Sequence, residues 1–301
     1  MKNNFRKSGF CNFGKILSSK KCKKLQKKIS KLRKLDKNIF YKTEKDFKKK
    51  GRYYRYAPGA SDHNLLISNE LDFNLDFIEK NPVFIKNVEK IVGKKYKIMK
   101  KTIIRSVPYS ILPNWIKKKV HDIGRPNLNP YIKDNYQDIQ YFLNADFHQD
   151  MQTGKKFCTF YVYLDDVYNS DSYLQILEGS HILGAQPYPH YLRKSNRDKT
   201  LWYYNDLKNV VQVKQRNVMG KGGTVSCWHG LSLHGTYYNF SKKPRISLRY
   251  LIEPGKKEKN SPFLKSFKDI KNQIAIKKFS KARLDINPDS SFRKTGMSIT
   301  S

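Results

Sequence analysis

Between Asn81 and Gly93 the apolar residues Phe84, Val88, Ile91 and Val92 recur at helical spacing, with Asn81 at the N-cap, Pro82 in the first turn and Gly93 as the stop. The pattern predicts an amphipathic helix that covers one side of a sheet. From Tyr96 to Val107 the chain turns extended and β-branched, with Thr102, Ile103 and Ile104, which predicts a strand. Prolines at 108, 113, 126 and 130 interrupt the next thirty or so residues, and Ile116 to Val120 is too short to assign. From Asp138 onward the chain reads as β. Strands are predicted over Ile139 to Leu143, Phe157 to Leu164, Tyr173 to Leu177, Val210 to Val213, Gly223 to Trp228, Leu231 to Tyr237 and Arg245 to Ile252, with a turn over Asp165 to Ser172. Residues 182–208 have no clear period and read as a long insertion or lid. Many short strands separated by turn signals predict a closed or double-sheet, mainly β architecture.

Two flanks differ in pattern. Met1 to Gly51 reads as a basic arm in which Leu25, Ile29, Leu32 and Ile39 fall near helical spacing among lysines. Such a helix packs on the main domain, extends into solvent, or tethers the chain to a membrane surface or nucleic acid. After Pro254, Ser261-Pro262 opens a helix with Phe263, Phe267, Ile270 and Ile274 on one face, and the residues from about Ile286 read as an unstructured tail. The expected division is a basic arm over 1–51, the β domain with flanking helices over 52–254, and a C-terminal helix and tail over 255–301.

The 301 residues are enough for one large core. Lys and Arg number 61 against 25 Asp and Glu, a net charge of +36, which raises the question of a polyanionic partner. Lys far outnumbers Arg, and Lys, Asn, Ile, Phe and Tyr are abundant together, as an AT-rich coding sequence produces. Arg is the residue suited to bidentate base and phosphate contacts, so nucleic acid or an acidic membrane surface is possible through the arm but not favoured. The stretch Arg52-Tyr53-Tyr54-Arg55-Tyr56 suits base stacking and core packing equally. Four cysteines without CxxC pairing fit reduced thiols, and no apolar leader or membrane-length run is present, so a cytoplasmic location is expected.

The candidate chemistry centres on Asn144-Ala145-Asp146-Phe147-His148-Gln149-Asp150. In a strand, His148 and Asp150 share one face and Gln149 takes the other. One imidazole and one carboxylate are two thirds of a facial triad for ferrous iron, and the third ligand must come from a distant strand. His229 and His234 are both candidates for it. His229, five residues earlier, presents the opposite face of a straight strand.

Further elements occur in this order along the chain: Leu164-Asp165-Asp166, Gly179-Ser180-His181, Trp228-His229, Leu231-Ser232-Leu233-His234-Gly235-Thr236, Asn239, and Pro244-Arg245. With His148-Gln149-Asp150 they resemble the phytanoyl-CoA dioxygenase family of iron and 2-oxoglutarate dependent oxygenases, over roughly Asp138 to Ile252. The resemblance implies a double-stranded β-helix, a cupin-like jelly roll, with flanking helices from the N-terminal half. It implies His148, Asp150 and His234 as ligands of Fe(II). It implies Arg245, eleven positions after His234, as the grip on the far carboxylate of the cosubstrate 2-oxoglutarate, with Thr236 and Tyr161 as further cosubstrate contacts. Thr224 and Ser172 depart from the family pattern at turn positions. The activity implied is hydroxylation of a small-molecule or acyl substrate using O2, with release of succinate and CO2. A nucleic-acid-directed oxygenase and a catalytically silent β-helix binding protein are the alternatives. Arg249 reads either as a core ion pair or as a second substrate contact.

Overall fold

Central strands of this protein are buried on both sides, and the identity of alternate residues shows why. In Cys158–Tyr163, the residues Cys158, Phe160 and Val162 pack outward beneath helices, whereas Tyr161 and Tyr163 pack inward with Trp228 and Ile104. A computed structural model describes residues 2–50, 65–66, 73–120, 128–143, 145–150, 156–186, 190–195, 200–204, 209–237, 239–271 and 299–300. The stretch 52–56, Ile274 and the tail from 286, apart from Ile299–Thr300, lie outside them.

The strands are β1 Phe10–Lys15, β2 Lys97–Ser106, β3 Gln140–Phe142, β4 Ala145–His148, β5 Cys158–Tyr163, β6 Leu174–Glu178, β7 Tyr191–Lys194, β8 Leu201–Tyr204, β9 Val210–Val218, β10 Thr224–His229, β11 His234–Thr236, β12 Arg245–Glu253 and β13 Ile299–Thr300. One sheet runs β1-β10-β5-β12-β2-β3 and the other β13-β7-β8-β9-β6-β11-β4. Successive strands from β4 to β6 and from β9 to β12 alternate between the two sheets, and the pairs they form within each sheet are antiparallel. This is the winding of a double-stranded β-helix, a jelly roll. Its mouth lies between β5 and β12 on one side and β4 and β11 on the other.

The helices are α1 Lys2–Ser8, α2 Ser19–Leu32, α3 Glu44–Lys50, α4 Asp76–Glu79, α5 Pro82–Val92, α6 Asn114–Val120 and α7 Pro262–Ser266. α5 forms as its sequence dictates. The Asn81 side chain accepts from the Val83 and Phe84 N–H groups, and Gly93 closes the helix at φ 105°. Phe84 then packs on Phe160 of β5 and Tyr250 of β12, with ring centroids 5.9 and 5.8 Å apart. Burying that one ring contributes about 2–3 kcal/mol. The helix therefore stiffens the outer face of the two strands whose inner faces line the mouth.

Of the readings open to the first fifty residues, packing on the main domain is the one their contacts support. β1 pairs with β10 at the sheet edge, with Phe10 opposite Trp228 and Cys11 opposite Cys227. On α2, Cys22, Leu25 and Ile29 are buried, and Arg33 just beyond it clasps the Asp138 carboxylate at 2.6 and 2.9 Å. The lysines of α2 mask this role, because their spacing fills the exposed positions around a narrow apolar stripe. Residues 182–208 differ from expectation. The described part holds a 3-10 turn over Ser180–Leu183 and the β7-β8 hairpin, which extends the second sheet through β9. Among the hairpin side chains that are described, Leu192 and Tyr203 are the ones fully buried in the apolar cluster beneath it, too few for a visible period. None of the described helices is long and apolar enough to cross a membrane.

Candidate metal centre

His148 closes β4 and His234 opens β11, and the two are direct cross-strand partners. Side chains of such a pair share a face, and the two imidazoles lie with centroids 4.2 Å apart. Asp150 returns to that face. Its backbone N–H donates to Gly230 O at 3.1 Å, and its carboxylate lies 3.8 Å from His148 Nε2 and 3.3 Å from His234 Nε2. One ligand atom from each of the three falls within 4.8 Å of the others.

Gln149 takes the opposite face, as the period-two reading requires, and fixes the segment from behind. Its Nε2 donates to Gly184 O at 2.8 Å and to Leu231 O at 2.7 Å, and its Oε1 accepts from the Gln186 N–H at 2.8 Å. The His234 tautomer is set in the same manner. Its Nδ1 lies 3.1 Å from the Ser232 carbonyl, which can only accept, so Nδ1 is engaged as a donor and Nε2 is the nitrogen turned to the centre.

Burial alone would raise the Asp150 pKa, but His234, Arg249 and His148 overcome it and hold the carboxylate well below its usual range. The donor set of two imidazole nitrogens and one carboxylate oxygen, with no thiolate, suits a divalent first-row metal such as ferrous iron. Two further groups are prepared for an anion. Arg245 on β12 is 3% exposed and makes no ion pair among the described residues. Its Nη1 donates to the Tyr161 hydroxyl at 2.8 Å and to Ser247 Oγ at 3.3 Å, while Nε and Nη2 are buried without a partner. Thr236 Oγ1 is likewise buried and unpartnered among the described residues. Buried donors in this condition are rare, and a guanidinium without a counter-charge is the costliest of them. A carboxylate would answer the open edge of the Arg245 guanidinium, and the residues present fit iron and 2-oxoglutarate.

The other described histidines lie elsewhere. His229 packs against His181, Phe263 and Phe267 at centroid distances of 5.1, 4.9 and 4.7 Å, and its Nδ1 accepts from the Leu231 N–H. His181 Nε2 bonds the Arg6 carbonyl of α1 at 3.0 Å rather than its own turn. Three neighbours of the centre escaped the sequence reading. Trp228 packs near His234 at 4.8 Å, Thr159 Oγ1 lies 3.5 Å from Asp150 Oδ2, and Thr102 Oγ1 is buried on β2. For Thr159 the signal was the alternation itself: Thr159-x-Tyr161-x-Tyr163 puts a hydroxyl at every inward position of β5.

A jelly roll with two imidazoles and a carboxylate brought together by adjacent strands is the arrangement of the non-haem metal oxygenases. The profile of the phytanoyl-CoA dioxygenase family matches residues 5–247, and the chain belongs to that family. No curated protein matches it in sequence. Among solved structures it is similar to the non-heme alpha-ketoglutarate-dependent epimerase SnoN from nogalamycin biosynthesis, at 14% identity and a TM-score of 0.48, covering 84% of this chain and 81% of that one. It is also similar to EvdO2 from Micromonospora carbonacea var. aurantiaca, at 13% identity and 0.48, covering 86% and 92%. The non-heme monooxygenase ThoJ matches at 13% identity and 0.47, covering 84% and 76%.

Proposed function

We propose that the protein is an Fe(II)- and 2-oxoglutarate-dependent dioxygenase that hydroxylates a small-molecule or acyl substrate, releasing succinate and CO2. One observation carries this reading: His148, Asp150 and His234 present ligand atoms within 4.8 Å of one another inside the same barrel as a buried arginine with two nitrogens unpartnered among the described residues. When bound, ferrous iron with 2-oxoglutarate supplies the activation of dioxygen for attack on a C–H bond.

The chain's own residues do the positioning. His148, Asp150 and His234 hold the metal, and Gln149 and Ser232 keep the first and last of these aimed at it. Arg245 offers the far carboxylate of 2-oxoglutarate a planar fork that lysine cannot imitate, with the Thr236 hydroxyl as second donor. Tyr161, already bonded to Arg245, fixes the guanidinium plane. Tyr163 and Trp228 exclude water around it. With Asp150 in place, no ligand position is left for a halide, so hydroxylation rather than halogenation is the expected outcome.

Anaerobic reconstitution with Fe(II), followed by oxygen and a metabolite panel, tests this through 2-oxoglutarate consumption and succinate formation. Wild type forms succinate and His148→Ala does not rise above the blank. If both decarboxylate alike, the assignment fails.

A further inference from the structure

Arg249 stands four residues beyond Arg245 on β12, on the same inward face. Its cross-strand neighbours are Thr102 on β2 and Tyr161 on β5. The side chain is only 12% exposed. Its Nη1 lies 3.6 Å from Asp150 Oδ1, too far for a hydrogen bond, and its Nε is buried without a partner among the described residues. Thr102, directly beside it and 1% exposed, also leaves its hydroxyl unpartnered. A guanidinium edge and a hydroxyl thus share one inner wall of the barrel, and neither has a hydrogen-bond partner among the described residues.

The charges around the centre sharpen this. Arg245 has the Asp165 carboxyl within electrostatic reach. Arg249 has Asp150 as its only ion-pair partner among the described residues, a carboxylate the metal claims. A buried cation that loses its counter-charge on metal loading calls for another anion.

We propose that Arg249, with the Thr102 hydroxyl, is the receptor for a carboxylate group on the primary substrate, an inference that rests on the iron and 2-oxoglutarate dependent activity. The guanidinium abuts a metal ligand, so the oxidised carbon lies only a few bonds from that carboxylate. The substrate class is therefore a short free organic acid, whether amino, hydroxy or alkanoic, and not an acyl group whose only charges are remote from the reacting carbon.

The test uses the full chain loaded anaerobically with Fe(II) and 2-oxoglutarate, whose visible charge-transfer band reports on the metal's surroundings. The probes are L-leucine, hexanoate and 3-phenylpropanoate, each set against its own amide. At least one acid perturbs the band, and its amide at the same concentration does not. Arg249→Gln retains the band and raises the apparent Kd for that acid at least about tenfold, the loss expected of one charge-assisted hydrogen bond. Arg249→Lys keeps a charge beside Asp150 without the planar fork; it weakens acid binding by about the same factor and keeps the test readable if the Gln variant does not fold. Thr102→Val raises the Kd by roughly threefold. The proposal is overturned if no acid perturbs the band, if amides act as well as acids, or if the Arg249→Gln protein binds the acid as wild type does. Loss of the band in both Arg249 variants also overturns it, since the arginine would then serve only to hold Asp150. Absence of the band in wild type is a different failure and strikes the iron and 2-oxoglutarate reading itself.

Discussion

The segment that carries two of the three ligands is held by a residue that faces away from the centre, and this makes single substitutions informative. Gln149 satisfies three backbone groups from two distant segments, at Gly184, Gln186 and Leu231. Gln149→Leu keeps the volume but leaves all three unsatisfied, so urea unfolding should show a loss of about 3 kcal/mol or more. Because the same residue sets the pitch of His148 and Asp150, metal affinity should fall between about ten- and a hundredfold, measured by Fe(II) or Co(II) titration. Arg245 makes the opposite case. Its Nη1 is occupied by Tyr161 and Ser247, and its value lies in the two nitrogens that remain. Arg245→Lys removes the fork and keeps the charge, so the KM for 2-oxoglutarate should rise about tenfold or more while iron binding changes little. An unchanged KM would place the cosubstrate elsewhere. At this scale the period-two rule made the shared face of His148 and Asp150 legible. The bonds of Gln149 were not, because their partners lie 35 to 82 residues away and are backbone atoms that carry no sequence signal.

Among the elements, those with strong local signals lie where the pattern puts them. α5 has its cap, stripe and stop, β5 and β12 have their β-branched and aromatic runs, and the pair frames the mouth. β1 had none of these. Its six residues, Phe-Cys-Asn-Phe-Gly-Lys, include a glycine and a bulge between Asn12 and Gly14, and they sit in a lysine-rich context that argues for solvent. Tertiary pairing with β10 overrides that context. What fixes β1 is the turn before it. Gly9 adopts φ 65°, its carbonyl accepts from the His229 N–H at 2.8 Å and Ser232 Oγ at 3.0 Å, and an added Cβ would meet His181 Nδ1 at 2.5 Å. Gly9→Ala therefore combines left-handed strain with a clash against a buried ring, a loss of about 2–4 kcal/mol. Since Phe10 lies opposite Trp228, which leans on His234, the same variant should also weaken metal binding. A Gly9→Ala protein with the stability of wild type would show that β1 is an accessory edge.

For the whole molecule, the seam joining the N-terminal segment, the 3-10 turn, β10 and the C-terminal helix is built on two buried imidazoles. Burial lowers the His181 pKa to about 4, against the Arg6 carbonyl and Asp269, which act to raise it. Burial, with His181 and Lys156 nearby, lowers that of His229 well below its ordinary value. Both groups are neutral when folded and bind protons when unfolded below pH about 6.5. Their contribution is thus complete above that pH and is lost as the pH falls toward 4. Asp165 acts in the other direction. Burial pushes its carboxyl up to about 6 despite the Ile246 N–H and Arg245, so the folded chain holds a proton there that the unfolded chain releases. Near pH 5 unfolding therefore takes up two protons and gives back one, a net slope of about 1.4 kcal/mol per pH unit. Urea unfolding of the metal-free protein should show stability falling by roughly 2 kcal/mol between pH 6.5 and 5, in a range above that where ordinary carboxylates titrate. Stability that is level or rising as the pH drops through that range would mean that the imidazoles at the seam are hydrated, and that the N-terminal segment is not held as tightly as its bonds to β10 imply.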